Sequence, residues 1–137
     1  MKRGVIALVL LISFCSCHKD EYKQLSKSGT NVEIIRSKEK GGLEFKVRVS
    51  QEALLSGADQ GKSKQMFFSA DSCFKLFDSE NRLLYPEVVE PIANGINNKF
   101  EYIVTFPKLK TDGKKIKLVY HDKFFSGSHF EFDFNDN

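Results

Sequence analysis

The sequence predicts an all-β sandwich, and three observations lead there. Four segments alternate apolar and polar residues with a period of two, which gives a strand one dry face and one wet face. The connectors between segments carry residues suited to tight turns. Helical periodicity is scarce, with residues 51–56 offering room for one helical turn.

Residues 31–36 supply an irregular strand. In the next segment Leu43, Phe45, Val47 and Val49 alternate with Glu44, Lys46 and Arg48. Residues 66–70, 73–78 and 82–85 add shorter, less regular strands. Phe100, Tyr102, Val104 and Phe106 then alternate against Glu101 and Thr105, although Ile103 makes the second face partly apolar. Ile116, Leu118 and Tyr120 alternate with Lys117 and His121, and Phe130, Phe132 and Phe134 with His129, Glu131 and Asp133. Lys40-Gly41-Gly42, Asp78-Ser79-Glu80-Asn81, Asn94-Gly95 and Thr111-Asp112-Gly113 provide turns, several of them with residues that tolerate positive φ. Pro86, Pro91 and Pro107 are expected at strand ends or in loops, where a missing amide breaks no ladder bond. Residues 51–65, which include Gly57 and Gly61, form the longest stretch without a strand pattern; such loops are commonly functional or disordered.

The amino-terminal segment speaks to location. Lys2 and Arg3 precede the apolar run 5–12, which is shorter than the roughly 20 residues needed to cross a bilayer. It reads as a secretory signal. The following Phe14-Cys15-Ser16-Cys17 resembles the bacterial lipoprotein signal, in which a cysteine carries diacylglycerol and becomes the first mature residue. Cys17 is the better lipidation site, because cleavage there leaves small Ser16 and Cys15 before the bond, whereas cleavage before Cys15 would place bulky Phe14 beside it. An ordinary secretory signal cut nearby is the alternative. Two or more acyl chains make a stable anchor, at about 0.8 kcal/mol per buried methylene. Lys19, Asp20 and Glu21 resemble the surface-export signal of Bacteroidetes lipoproteins, and read equally as part of a solvated tether. The expected organisation is therefore a cleaved signal peptide over residues 1–16, a lipidated cysteine and flexible polar tether over 17–30, and the sandwich over 31–137.

Charge and cysteine content narrow the function. Loss of Lys2 and Arg3 takes the 21 basic residues to 19 against 18 acidic ones, a net charge near +1. No basic block is interleaved with aromatics, so a nucleic-acid partner is not expected. Lys108, Lys110, Lys114, Lys115 and Lys117 gather around one turn and suit a solvated strand edge. With Cys15 removed and Cys17 acylated, Cys73 is left without a disulfide partner and is expected to be a small buried hydrophobe.

Residues 74–78 running to Tyr85, the strand 100–106, and Leu118-Val119-Tyr120-His121-Asp122 followed by Phe130-Glu131-Phe132 resemble the Ig-like domains of unknown function found in bacterial lipoproteins. The resemblance implies an Ig-like antiparallel β-sandwich of about seven to eight strands over roughly residues 30–134. It implies no catalytic residues.

His121 and His129 are expected to face each other if the last two strands form a hairpin, and with Asp122 or Glu131 they would make a weak metal candidate. Phe124-Phe125 beside Gly127 suggests a binding loop, since adjacent aromatics cannot both point inward from a regular strand; the alternative is a loop that folds back to cap the sandwich. No phosphate-binding glycine loop, nucleophile elbow, HExxH or paired cysteine ligand is present in the sequence, so no enzyme activity and no cofactor are expected. The expectation is a non-catalytic lipoprotein anchored in the outer membrane, facing the cell surface if Lys19, Asp20 and Glu21 are an export signal and either side if they are only tether, acting as a binding or assembly module. Its partners would be the membrane and an envelope complex of the secretion, motility or uptake kind. A stand-alone binder of a surface ligand or glycan, or a hydrolase inhibitor, is the alternative.

Overall fold

The computed structural model describes residues 20–37, 43–109 and 115–135. Cys17 and Lys19 lie outside them, as do Lys110 and Lys114. Among the described residues the chain forms nine strands and one α-helix in the order β1 (Glu21–Lys27), β2 (Thr30–Arg36), β3 (Glu44–Gln51), α1 (Gln60–Phe68), β4 (Phe74–Phe77), β5 (Leu83–Leu84), β6 (Val88–Ile92), β7 (Lys99–Thr105), β8 (Lys115–His121) and β9 (His129–Asn135). They make two antiparallel sheets, one ordered β1-β2-β3-β7-β6 and the other β5-β4-β8-β9. The fold is an all-β sandwich. Setting β1 aside, β2, β3, β7 and β6 occupy the A, B, E and D positions of an immunoglobulin sandwich, and β4, β8 and β9 occupy C, F and G with β5 added beside C.

Period-two alternation puts the expected residues inside. Val32 and Ile34, then Phe45, Val47 and Val49, then Phe100, Tyr102 and Val104 face across to Phe74 and Leu76, to Ile116, Leu118 and Tyr120, and to Phe130, Phe132 and Phe134, all buried. Phe74 packs on Tyr120 of its own sheet at 5.2 Å and on Tyr102 of the facing sheet at 5.9 Å between ring centres, so an aromatic contact bridges the two sheets. Cys73 is buried among them, as its small apolar side chain suggests.

Several expectations need correction. The segment expected to be a tether continues as structure: β1 pairs along its whole length with β2 through a two-residue turn, Ser28-Gly29, with φ of 49° and 76°. Polar composition hid it because β1 is an edge strand that leans over the open side of the sandwich. Its inward lysines do the covering: the Lys23 ammonium sits 5.9 Å from the centre of the Phe134 ring and the Lys27 ammonium 5.7 Å from that of Phe130. Residues 66–70 are not a strand; Gln60–Phe68 is a helix whose one buried residue is Met66, and the one-turn helix expected at 51–56 is absent. Pro91 is the fourth of the five residues of β6, next to the strand's end, and is tolerated because β6 is the outer edge of its sheet. Lys117 also differs from expectation, since it pairs with Phe77 on one side and Asp133 on the other and is on no edge, whereas Lys115 pairs with Asn135 alone.

Register fixes the two ends of the molecule. Glu21 lies opposite Arg36, and Arg36 opposite Phe45, at one end; Lys27, Thr30 and Gln51 align at the other. The Asp78 turn belongs to the first end, because Phe77 aligns with Lys117 and Lys117 with Asp133. Helix α1, residues 93–98 and the β8–β9 turn gather at the second.

Candidate functional site at the end remote from Glu21

The β8–β9 turn is organised by one aspartate. Asp122 is fully buried and follows the last residue of β8, and its carboxylate accepts the amides of Phe124, Phe125 and Ser126 at 3.2, 3.1 and 2.9 Å. The Ser126 hydroxyl donates to it at 2.8 Å and Thr30 reaches it at 3.4 Å, tying this hairpin to the β1–β2 turn. Asp122 is thus a structural cap, an Asx-turn carried into the core.

That arrangement decides the fate of Phe124 and Phe125. Both are half-buried and packed on the core, with the Phe125 ring 5.9 Å from Phe100. The loop folds back: of the two readings of Phe124-Phe125, the cap on the sandwich is the one formed, and not a free aromatic anchor. The exposed apolar side chains of this end come from other elements: Leu54 is 80% exposed, Phe68 72% and Ile96 48%. Beside them lies an open cleft of about 720 Å³ lined by Phe67, Phe68 and Phe100 with Ser63, Lys64 and Asn97. Phe67 and Phe68 meet edge to face at 4.9 Å. A sequence signal did exist for this region: Ser56 and Asp59 have capping-box spacing, and Asp59 accepts the Ser56 amide at 2.9 Å and its hydroxyl at 3.0 Å. Those bonds hold the Asp59 carboxyl below its ordinary pKa.

Met66 anchors α1 to the barrel-like interior. Its carbonyl accepts the Tyr102 hydroxyl, and the Tyr120 hydroxyl lies 3.6 Å from its sulfur. Burial pushes both phenols upward, so they stay protonated and donate. Burial likewise raises the Cys73 thiol, which removes nucleophilic character.

The histidines meet as the hairpin requires. His121 and His129 are cross-strand partners, stacked with centroids 3.9 Å apart and planes 12° from parallel. A metal bound by imidazole lies in the ring plane; two nearly parallel planes this far apart share no point within coordination distance of both rings. No group of three or more His, Cys, Asp or Glu able to hold a metal ion occurs among the described residues. Desolvation, then His129 and Lys123, lower the pKa of His121. Of the expected export residues within the described chain, Asp20 precedes β1 and Glu21 opens it.

The chain matches no protein-family model, no curated protein and no solved structure.

Proposed function

We propose that this chain is a lipid-anchored, non-catalytic binding module of the bacterial envelope, which holds a protein partner with the end of its sandwich that faces away from the membrane. The observation that carries the reading is the opposition of the two ends. The first strand starts at Glu21, four residue steps after Cys17, so an acylated Cys17 holds that end within about 14 Å of the bilayer. The seven-residue strands then separate Leu54, Phe68 and Ile96 from it by about 20 Å. Apolar side chains at that height contact a partner rather than the chain's own lipid. Three of them standing clear of the surface, beside an aromatic cleft rimmed by hydroxyls and an amide, have the apolar-centre, polar-rim character of a protein interface.

The test is a photoactivatable residue placed at Phe68 or, in a separate variant, at Glu80 in cells that make the full chain. A discrete covalent adduct from position 68 and none from position 80 supports the reading. Adducts from position 80 alone, or none at either, reject it. Labelling with a palmitate analogue checks the anchor independently, with uptake expected in the wild type and lost in Cys17→Ala.

A further inference from the structure

We propose that the hollow on the outer face of the four-stranded sheet, where Lys75, Lys123, His121 and His129 converge, binds a phosphate or phosphomonoester. The hollow is about 240 Å³, floored by Phe77 and Val119, and walled by side chains from β4, β8, β9 and the turn after β8. It lies apart from the aromatic cleft and does not depend on the protein-binding reading.

The charge arrangement favours an anion. Neither the Lys75 nor the Lys123 ammonium is paired with a carboxylate among the described residues. The carboxylates nearby are already engaged or remote from the cavity. Glu131 on β9 also lines the hollow, but its carboxylate is paired with Lys117 of β8 at 3.5 Å, and Asp122 is filled by the donors of its own turn. Asp71, on the 3-10 turn Ala70–Cys73, is exposed outside the cavity lining, and Cys73 is a protonated thiol. Two ammonium groups and two imidazole edges therefore approach one concavity from several directions. Such scattered point donors suit a tetrahedral oxyanion; a planar carboxylate would be better served by a guanidinium fork, and none lines this hollow. The stacked imidazoles add a dependence on pH. Desolvation and the neighbouring His129 and Lys123 disfavour protonated His121 in the empty site, and a bound dianion offsets that. By linkage, the anion raises the His121 pKa and protonation of His121 tightens the anion.

The experiment uses the full chain in detergent micelles, with histidine ring carbons labelled, in a zwitterionic buffer at fixed ionic strength. Inorganic phosphate and glycerol phosphate are titrated separately, against chloride as control. The proposal expects saturable shifts at His121 and His129, none at His18, and dianion affinity, corrected for the ligand's own second protonation, that strengthens as pH falls from 7.5 to 6. Lys75→Gln and Lys123→Gln, both on exposed side chains, should each weaken it about fivefold while leaving the melting temperature unchanged. Tighter binding of glycerol phosphate identifies a monoester ligand and tighter binding of inorganic phosphate the free ion, and either supports the site. Equal shifts with chloride, equal shifts at His18, or full binding in both lysine variants would overturn it.

Discussion

β1 and β9 are both seven residues long and flank the same opening of the sandwich, yet they close it by different physics. β9 buries Phe130, Phe132 and Phe134 completely or nearly so. β1 lays Lys23 and Lys27 across two of those same rings and adds a hydrogen bond from the Lys27 ammonium to the His129 carbonyl at 2.7 Å. One strand stabilises by removing apolar surface from water; the other shields that surface while keeping its charges wet. The inward lysines also discourage another chain from pairing at this edge.

Substitutions should separate the two. Phe132→Ala leaves a cavity in the centre of the core and is expected to cost about 3–5 kcal/mol, read as a shifted denaturant midpoint. Next comes Asp122→Ala, which strands the amides of the β8–β9 turn and cuts the link to Thr30; about 3 kcal/mol is expected, with loss of amide-exchange protection in that turn first. Lys23→Ala and Lys27→Ala should each cost about 0.5–1 kcal/mol. A cost for either lysine equal to that of Phe132 would erase the distinction between the strands.

The smallest effect concerns pH. His121 has a folded pKa below its ordinary 6.5, so the unfolded chain binds its proton more readily. Its stabilising contribution is complete above about 6.5 and is lost as pH falls through the folded value. Glu101, held below its ordinary pKa by Arg48 and then Asn94, adds a loss of the same sign at lower pH. In buffer free of oxyanions, melting between pH 7 and 5.5 should fall, and His121→Gln should flatten that fall by about 2 °C or less.

The same contrast explains what the sequence made legible. The strands that bury one face completely, such as β3 and β9, announce themselves by alternation, and every apolar residue assigned inward from them is inside. The histidine pairing followed from the hairpin. β1 was illegible because its inward positions are Glu21, Lys23, Leu25 and Lys27, although Ser28-Gly29 is a turn signal. α1 was illegible for a similar reason: a helix that buries Met66 alone has no apolar stripe to detect. The aromatic cleft depends on that helix, so it was hidden too. For Phe124 and Phe125 the sequence offered both an exposed anchor and a loop folded back as a cap; what it did not show was the buried Asp122 that curls the turn onto the core.

The orientation of the domain on its anchor can be measured directly. With the full chain in lipid vesicles, nitroxide labels are placed at Glu80 or at Ile96, and their relaxation by a lipid-soluble paramagnet is compared. The opposition of the two ends predicts strong relaxation at position 80 and weak relaxation at 96, consistent with a separation of about 20 Å. Stronger relaxation at 96 than at 80 would contradict it.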